Sequence, residues 1–190
     1  MSNTLNSGLL FLIKTLFDLY LTVLVIRIIL VYVKANYFDP ITQFVVKLTD
    51  FLVKPLRRIL PTIRNFELSS IVLTLILEII KFVLLAMLAF GAPNFVGLLL
   101  LALGDTLNLI IQIFFYAILI QAVLTWVQPG SWLNHLLYQF TAPVMQPFQR
   151  ITPRIGGIDI SPIPALITLQ LLNIILVAPL MAAGFGTSLG

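Results

Sequence analysis

Asp18, Arg27, Glu78 and Lys81 stand inside long apolar stretches of this chain. An ionisable side chain in hydrocarbon must pair, line a path for an ion or small solute, or relay protons. The other candidate carboxylates, Asp39, Asp50, Glu67 and Asp159, sit in more polar surroundings with no neighbouring histidine and no metal-ligand spacing. His135 is the only histidine, expected on a solvated face, and cysteine is absent. Disulfides, thiolate catalysis, Cys-based metal sites and covalent c-type haem attachment through this chain are therefore excluded. No catalytic residue, cofactor or metal site is expected, and the site checklist points away from an enzyme. The carboxylates read instead as turn and cap residues: Asp39 before Pro40, Glu67 with Ser69 ahead of the second span, and Asp159 or Ser161 ahead of the fourth.

The elements that position these residues follow from composition. The chain has 190 residues, 60% hydrophobic and 9% charged, with a mean hydropathy of +1.10. Soluble domains carry roughly a quarter charged residues, so the expected class is an all-α integral membrane protein. The apolar run near the N-terminus is too long for a cleaved signal peptide. A span needs about 20 mainly apolar residues. Four stretches qualify, at about 9–33, 70–90, 107–127 and 163–183. The third lies within the apolar run Phe95–Val127, whose first part reads equally as an extension, a tilted end or a separate half-helix.

Four spans place both termini on one side and segments 34–69 and 128–161 on the other. Those two segments hold eight of the eleven Lys and Arg residues. The positive-inside bias then expects cytoplasmic connecting segments and both termini outside. Lys14 lies near the outer end of the first span, four residues from Asp18, with which it can pair. Tyr32, Tyr37, Trp126 and Trp132 fit an aromatic belt at the cytoplasmic border.

A duplication explains the segment KPLRRILP (Lys54–Pro61). Shifted by 92 positions, Leu48–Ile71 aligns with Phe140–Ile163, and Thr49, Pro55, Arg58, Ile59, Pro61, Ile63, Ser69 and Ile71 meet identical residues. Upstream, Arg27–Tyr32 aligns with Gln121–Trp126 at a shift of 94. The expected organisation is two tandem parallel helix–loop–helix repeats, 1–94 and 95–190. Each carries a basic amphipathic segment, 40–60 or 132–151, lying in the cytoplasmic interface. Prolines should break or kink both segments, and Pro61 should end the first. Lys47, Lys54, Arg57, Arg58, Arg150 and Arg154 form the candidate surface for anionic headgroups or a protein partner. Keeping the loops inside would by itself account for these charges. Gly156, Gly157 and Asp159 form a candidate structural turn, and the basic patch is too small to expect direct nucleic-acid binding.

The repeat also relates the intramembrane polar groups. Asp18, Arg27, Glu78 and Lys81 correspond to Gln112, Gln121, Gln170 and Asn173, so each charge in the first copy is a neutral amide in the second. Arg27 and Glu78 stand at similar depth, about 10 Å from the cytoplasmic end. The expected arrangement is an Arg27–Glu78 ion pair, an equivalent Gln121–Gln170 hydrogen bond, and Lys81 joining Glu78 three residues away. Helix glue, a polar path and a proton relay are the three roles open to this cluster.

The segments RIILVYV, YFDPITQFVVKLTDFLVKPLRRILP, QAVLTWV and TAPVMQPFQRITPRIGGIDISP, with the four-span layout, resemble the YggT (YlmG-like) family. The likeness covers nearly the whole chain, in the two-copy form associated with proteobacteria. The first copy departs from the pattern, with RNFELSS where the second has GGIDISP. The resemblance implies a bacterial inner-membrane protein linked to osmotic-stress tolerance and ion homeostasis. Plastid relatives are linked to cytochrome maturation and nucleoid organisation. No catalytic residues carry over. The leading expectation is a non-enzymatic polytopic protein that organises the membrane or partner proteins through its basic segments. A small channel or transporter, oligomeric through further copies of the chain, is the alternative. An assembly factor for a membrane cytochrome is the third reading.

Overall fold

The computed structural model describes residues 2–63, 65–89, 94–152 and 159–188. The chain is predominantly helical. α1 (Ser2–Tyr32), α2 (Pro40–Arg57), a hairpin of β1 (Thr62–Ile63) and β2 (Phe66–Glu67), α3 (Leu68–Ala89), α4 (Phe95–Val127) and α5 (Trp132–Ile151) follow in order. The last long helix comprises α6 (Pro162–Leu172), a π-helical turn (Asn173–Val177) and α7 (Ala178–Ser188). Asn6–Tyr32, Leu68–Leu88, Phe95–Val127 and Pro162–Thr187 are each long and apolar enough to cross a membrane.

The third apolar run forms one helix, since α4 continues unbroken through Gly104 and Asp105. Its N-terminus is fixed by Asn94, whose side chain accepts a hydrogen bond from the Val96 N–H. The fourth span is interrupted by its π-turn, where the Ala178 N–H reaches back to the Asn173 carbonyl. The next residue, Pro179, has no N–H to donate and its ring crowds the carbonyl four residues back. Widening the preceding turn removes that conflict. The connecting helices are not broken at their prolines: α2 contains Pro55 and α5 contains Pro143 and Pro147. α2 ends at Arg57, ahead of Pro61, with a further turn closed by Leu60 N–H to the Leu56 carbonyl.

α1 ends with the Ala35 N–H on the Leu30 carbonyl and the Lys34 N–H on the Val31 carbonyl. That is a Schellman closure, with Lys34 at φ 55° in the left-handed position that glycine usually takes. Gln139 of α5 donates to the Val33 and Lys34 carbonyls at 2.9 and 3.2 Å, tying this end to the second half of the chain.

α1 packs chiefly on α3, and α4 on α7. The largest apolar core joins α1, α4, α5 and α6 through Leu21, Val25, Leu109, Ile118, Met145 and Ala165. Small residues set the α4–α7 approach. A Cβ at Gly184 would lie 2.8 Å from Leu101 Cγ and 3.0 Å from the Leu101 backbone nitrogen. Lipid gives helices little hydrophobic reason to associate, so such close approaches contribute much of the packing. Gly184→Val should cost about 1–3 kcal/mol, because the Leu101 backbone cannot yield. Gly104→Ala should cost less, since its nearest obstacle is the flexible Met181 side chain. Unfolding midpoints in detergent check the order.

Candidate functional site: two buried ion clusters and a basic cleft

The first cluster is centred on Arg27 of α1, whose side chain is 3% exposed. Its Nε donates to Glu67 Oε2 at 2.7 Å and its Nη2 to Glu67 Oε1 at 3.0 Å. Its Nη1 donates to Thr49 Oγ1 at 2.7 Å and Asp50 Oδ1 at 2.8 Å. This forked, charge-assisted set suits a buried guanidinium. Helical spacing within α2 sets Thr49 and Asp50 beside Arg27, while the β-hairpin folds Glu67 back from the foot of α3. Glu67 is buried and also receives Ser70 Oγ at 2.6 Å and Arg57 Nη2 at 2.8 Å. Lys54 completes the cluster on Asp50 at 3.0 Å.

Burial pushes the Glu67 carboxyl upward, but hydrogen bonds from Arg27 and Ser70 and the charges of Arg27 and Arg57 overcome it. The net effect holds it below the usual glutamate range. Asp50 behaves alike: desolvation raises it, Arg27 and Lys54 outweigh desolvation, and it ends below its ordinary value. Groups depressed in the folded state stabilise it fully above their unfolded values and lose that contribution as pH falls through the folded ones. The unfolding midpoint in detergent should therefore be flat down to about pH 5 and fall below the ordinary carboxylate range. Glu67→Gln should flatten that fall.

The second cluster is centred on Lys81 of α3, whose side chain is 1% exposed. Its Nζ meets Asp18 of α1 at 2.9 Å, Glu78 at 2.6 Å and Asp105 of α4 at 2.5 Å. Three helices thus converge on one ammonium. Glu78 is fully buried, its Oε2 held close to Lys81 and its Oε1 without a hydrogen-bond partner among the described residues. Among the described residues no group of acidic and histidine side chains could hold a metal ion.

The expected Arg27–Glu78 pair does not form: Arg27 is occupied by Glu67, Asp50 and Thr49, and Glu78 by Lys81. Asp18 pairs with Lys81 and not with Lys14. The expected Gln121–Gln170 bond is also absent. Gln121 is buried against Thr141 of α5, whose hydroxyl donates to its Oε1, while Gln170 is exposed. Gln112 donates to Asn108 at 3.3 Å, and Asn173 donates to the same oxygen at 2.8 Å. Glu67, directly before α3, is an ion-pair partner of Arg27, and Asp39 occupies the N-cap position of α2 without a side-chain cap bond. Asp159 accepts from the Ser161 N–H and hydroxyl just before α6, and Ser161 itself makes no cap bond. Lys47, Lys54, Arg57, Arg58 and Arg150 are exposed. Arg154, Gly156 and Gly157 lie outside the described residues.

Sequence reasoning misses Asp105, Asn108 and Thr141, and gives Thr49, Asp50 and Glu67 no role at Arg27. Starting the third span at 107 leaves Asp105 outside the membrane. A signal for the threonines is present, since Thr49 and Thr141 are identical at the shift of 92.

Above Arg27 lies a cleft of about 420 Å³ between α1 and α2. Lys34, Lys54, Arg57 and Arg27 line it against one carboxylate, Asp50. The outer side of α2 carries the exposed row Ile41, Phe44, Leu48 and Phe51, next to Lys47 and Lys54, while Thr42, Val45, Thr49 and Val53 face inward. Its apolar residues therefore lie on two faces, not on the single oily face that their spacing suggests.

Four helices of spanning length, buried charges neutralised between them and wide apolar outer surfaces define a multi-pass helical membrane protein. The chain belongs to the CCB3/YggT family, whose model matches residues 6–88 and 100–180. It is 33% identical to the uncharacterized protein YggT of Escherichia coli (strain K12), over 92% of this chain and 92% of that one. It is 35% identical to an uncharacterized protein of Pseudomonas aeruginosa, covering 94% and 92% of the two chains. A Vibrio alginolyticus protein, described as an uncharacterized protein in the proC 3' region, is 38% identical over 87% of this chain and 91% of its own. No solved structure matches.

Proposed function

We propose that this protein is a non-enzymatic inner-membrane organiser that supports osmotic-stress tolerance and ion homeostasis. It is built from two tandem repeats, with both termini outside. α2 and α5 lie in the cytoplasmic interface and present the membrane or a partner protein with an apolar and basic surface. The observation that carries this reading is the outer face of α2, where Phe44 and Phe51, 62% and 84% exposed, alternate with Lys47 and Lys54. An apolar row beside lysines suits the boundary between acyl chains and anionic headgroups. The two segments matched by the family model support the duplication. So does the recurrence of a buried side chain on a threonine, Arg27 on Thr49 and Gln121 on Thr141. The ion clusters act as glue between helices.

Two measurements test this. A Phe51→Trp variant lacking Trp126 and Trp132 should be quenched most by bromines placed shallow in the acyl chains; an unquenched, water-like emission rejects the interfacial placement. Cells deleted for the gene should recover poorly from hyperosmotic upshift and regain recovery when the wild-type gene is supplied. A Phe44→Ser, Phe51→Ser variant that accumulates normally should fail to restore them, and equal rescue rejects the role of this face.

A second reading, a small channel or transporter, is favoured by one observation: Glu78 is fully buried beside Lys81, with its Oε1 lacking a hydrogen-bond partner among the described residues. Ion flux in proteoliposomes that disappears with Glu78→Gln would replace the first reading.

A further inference from the structure

We propose that the cleft between α1 and α2 is a binding site for the phosphate of an anionic phospholipid. This rests on the reading of α2 as an interfacial helix. Four observations meet there. First, Arg27, Lys34, Lys54 and Arg57 line the cleft, and Asp50 within it and Glu67 behind it together offset only part of their charge, leaving a positive excess. Arg27 contributes chiefly charge, because Glu67, Asp50 and Thr49 take four of its five N–H donors. Lys34 has no ion pair among the described residues, and Arg57 keeps donors beyond its single contact with Glu67.

Second, Thr42 lines the cleft, is only 5% exposed, and its hydroxyl has no hydrogen-bond partner among the described residues. A buried hydroxyl without a partner is unfavourable, and a phosphate oxygen would satisfy it. Third, Lys34 adopts φ 55°, a conformation that disfavours side chains with a Cβ, at the point where it joins the cleft lining. Fourth, Leu30, Val31, Ala35 and Val46 supply an apolar wall suited to the glycerol and upper acyl carbons of a lipid.

The second half of the chain provides an internal comparison. The cleft between α4 and α5, lined by Gln121, Asn134, Tyr138, Gln149 and Asp159, contains no lysine or arginine among the described residues. At the repeat shifts, Gln121 replaces Arg27, Asn134 replaces Thr42, Gln146 replaces Lys54 and Gln149 replaces Arg57. A cleft beside the connecting helix is thus present twice, while among the described residues a lining of lysine and arginine is present once.

The test is native mass spectrometry of the full chain in detergent, titrated with phosphatidylglycerol, phosphatidylcholine or inorganic phosphate. Phosphatidylglycerol should be retained over phosphatidylcholine. Lys34→Gln with Lys54→Gln should weaken retention by about fivefold for each charge removed. Thr42→Val, which keeps the shape, should weaken it without changing net charge. Lys47→Gln with Arg58→Gln removes the same charge from the headgroup-facing surface outside the cleft and should weaken retention clearly less than the cleft pair does. Equal losses in the two double variants overturn the site in favour of diffuse surface attraction. Inorganic phosphate that binds and displaces the lipid at millimolar concentration assigns the same cleft to a free phosphate, overturning the lipid as its source. Loss of headgroup selectivity, with bromine quenching of the Phe51→Trp variant intact, rejects the cleft alone. Absent quenching with selective binding intact rejects only the interfacial placement.

Discussion

Lys81→Met should be the most damaging single substitution in the protein. It removes the cation that, among the described residues, Asp18, Glu78 and Asp105 from three helices share. Removing one side of a buried pair costs about 3–5 kcal/mol, because the remaining charge has neither water nor a partner. Here three carboxylates are left facing one another, so the loss should reach about 5 kcal/mol, the upper end of that range. Accumulation in the membrane should fall sharply, and the surviving fraction should unfold at lower temperature in detergent. Adding Glu78→Gln and Asp105→Asn should restore most of both, since neutral amides in place of two carboxylates remove the repulsion. The second half of the chain already uses this solution: Asn173, the counterpart of Lys81, binds the Asn108 amide at 2.8 Å. If the Lys81→Met protein accumulates and melts like wild type, the cluster does not hold the helices together.

The second large effect is expected at Arg27. Arg27→Met leaves Glu67 fully buried and strands the Thr49–Asp50 side of α2. Arg57 and Ser70 still contact Glu67, so the expected loss is about 3 kcal/mol, at the low end of the range for a broken buried pair. Arg27→Lys should fall between wild type and Arg27→Met, because one ammonium cannot reproduce the forked contact with Glu67. Adding Glu67→Gln and Asp50→Asn to Arg27→Met should recover stability. Exchanging the charges of Arg27 and Glu78 should not, since Glu78 belongs to the Lys81 cluster. Rescue by that exchange would contradict the observed pairing. Unfolding midpoints and membrane accumulation measure each case.

These two sites also mark where sequence reasoning stops. Counting residues along a helix gives height in the membrane at about 1.5 Å per step, and on height alone Arg27 and Glu78 are well matched. Counting does not give the direction each side chain faces around its own helix relative to its neighbour. That direction is set by how the apolar surfaces of α1, α3 and α4 interlock, and it turns Glu78 toward Lys81. Glu67 escapes for a different reason. Its position before an apolar run is that of a cap residue, and only the fold-back of the β1–β2 hairpin carries it to Arg27. Asp105 escapes because a charged residue in an apolar run looks like the end of a span, when a cation waits on the adjoining helix.

What the sequence determined by itself was the membrane class, four apolar stretches of spanning length, two basic connecting helices and the membership in the YggT family. The class, the stretches and the helices depend on composition and period along the chain, which hydrophobic transfer reads directly, while the family rests on motifs matched over most of the chain. Tertiary structure alone decided which charges neutralise one another, that α2 divides its apolar residues between the bundle and the outside, and that Lys34 meets Lys54 and Arg57 around one cleft. Each of those outcomes depends on helix rotation and chain reversal, and packing between distant segments fixes both.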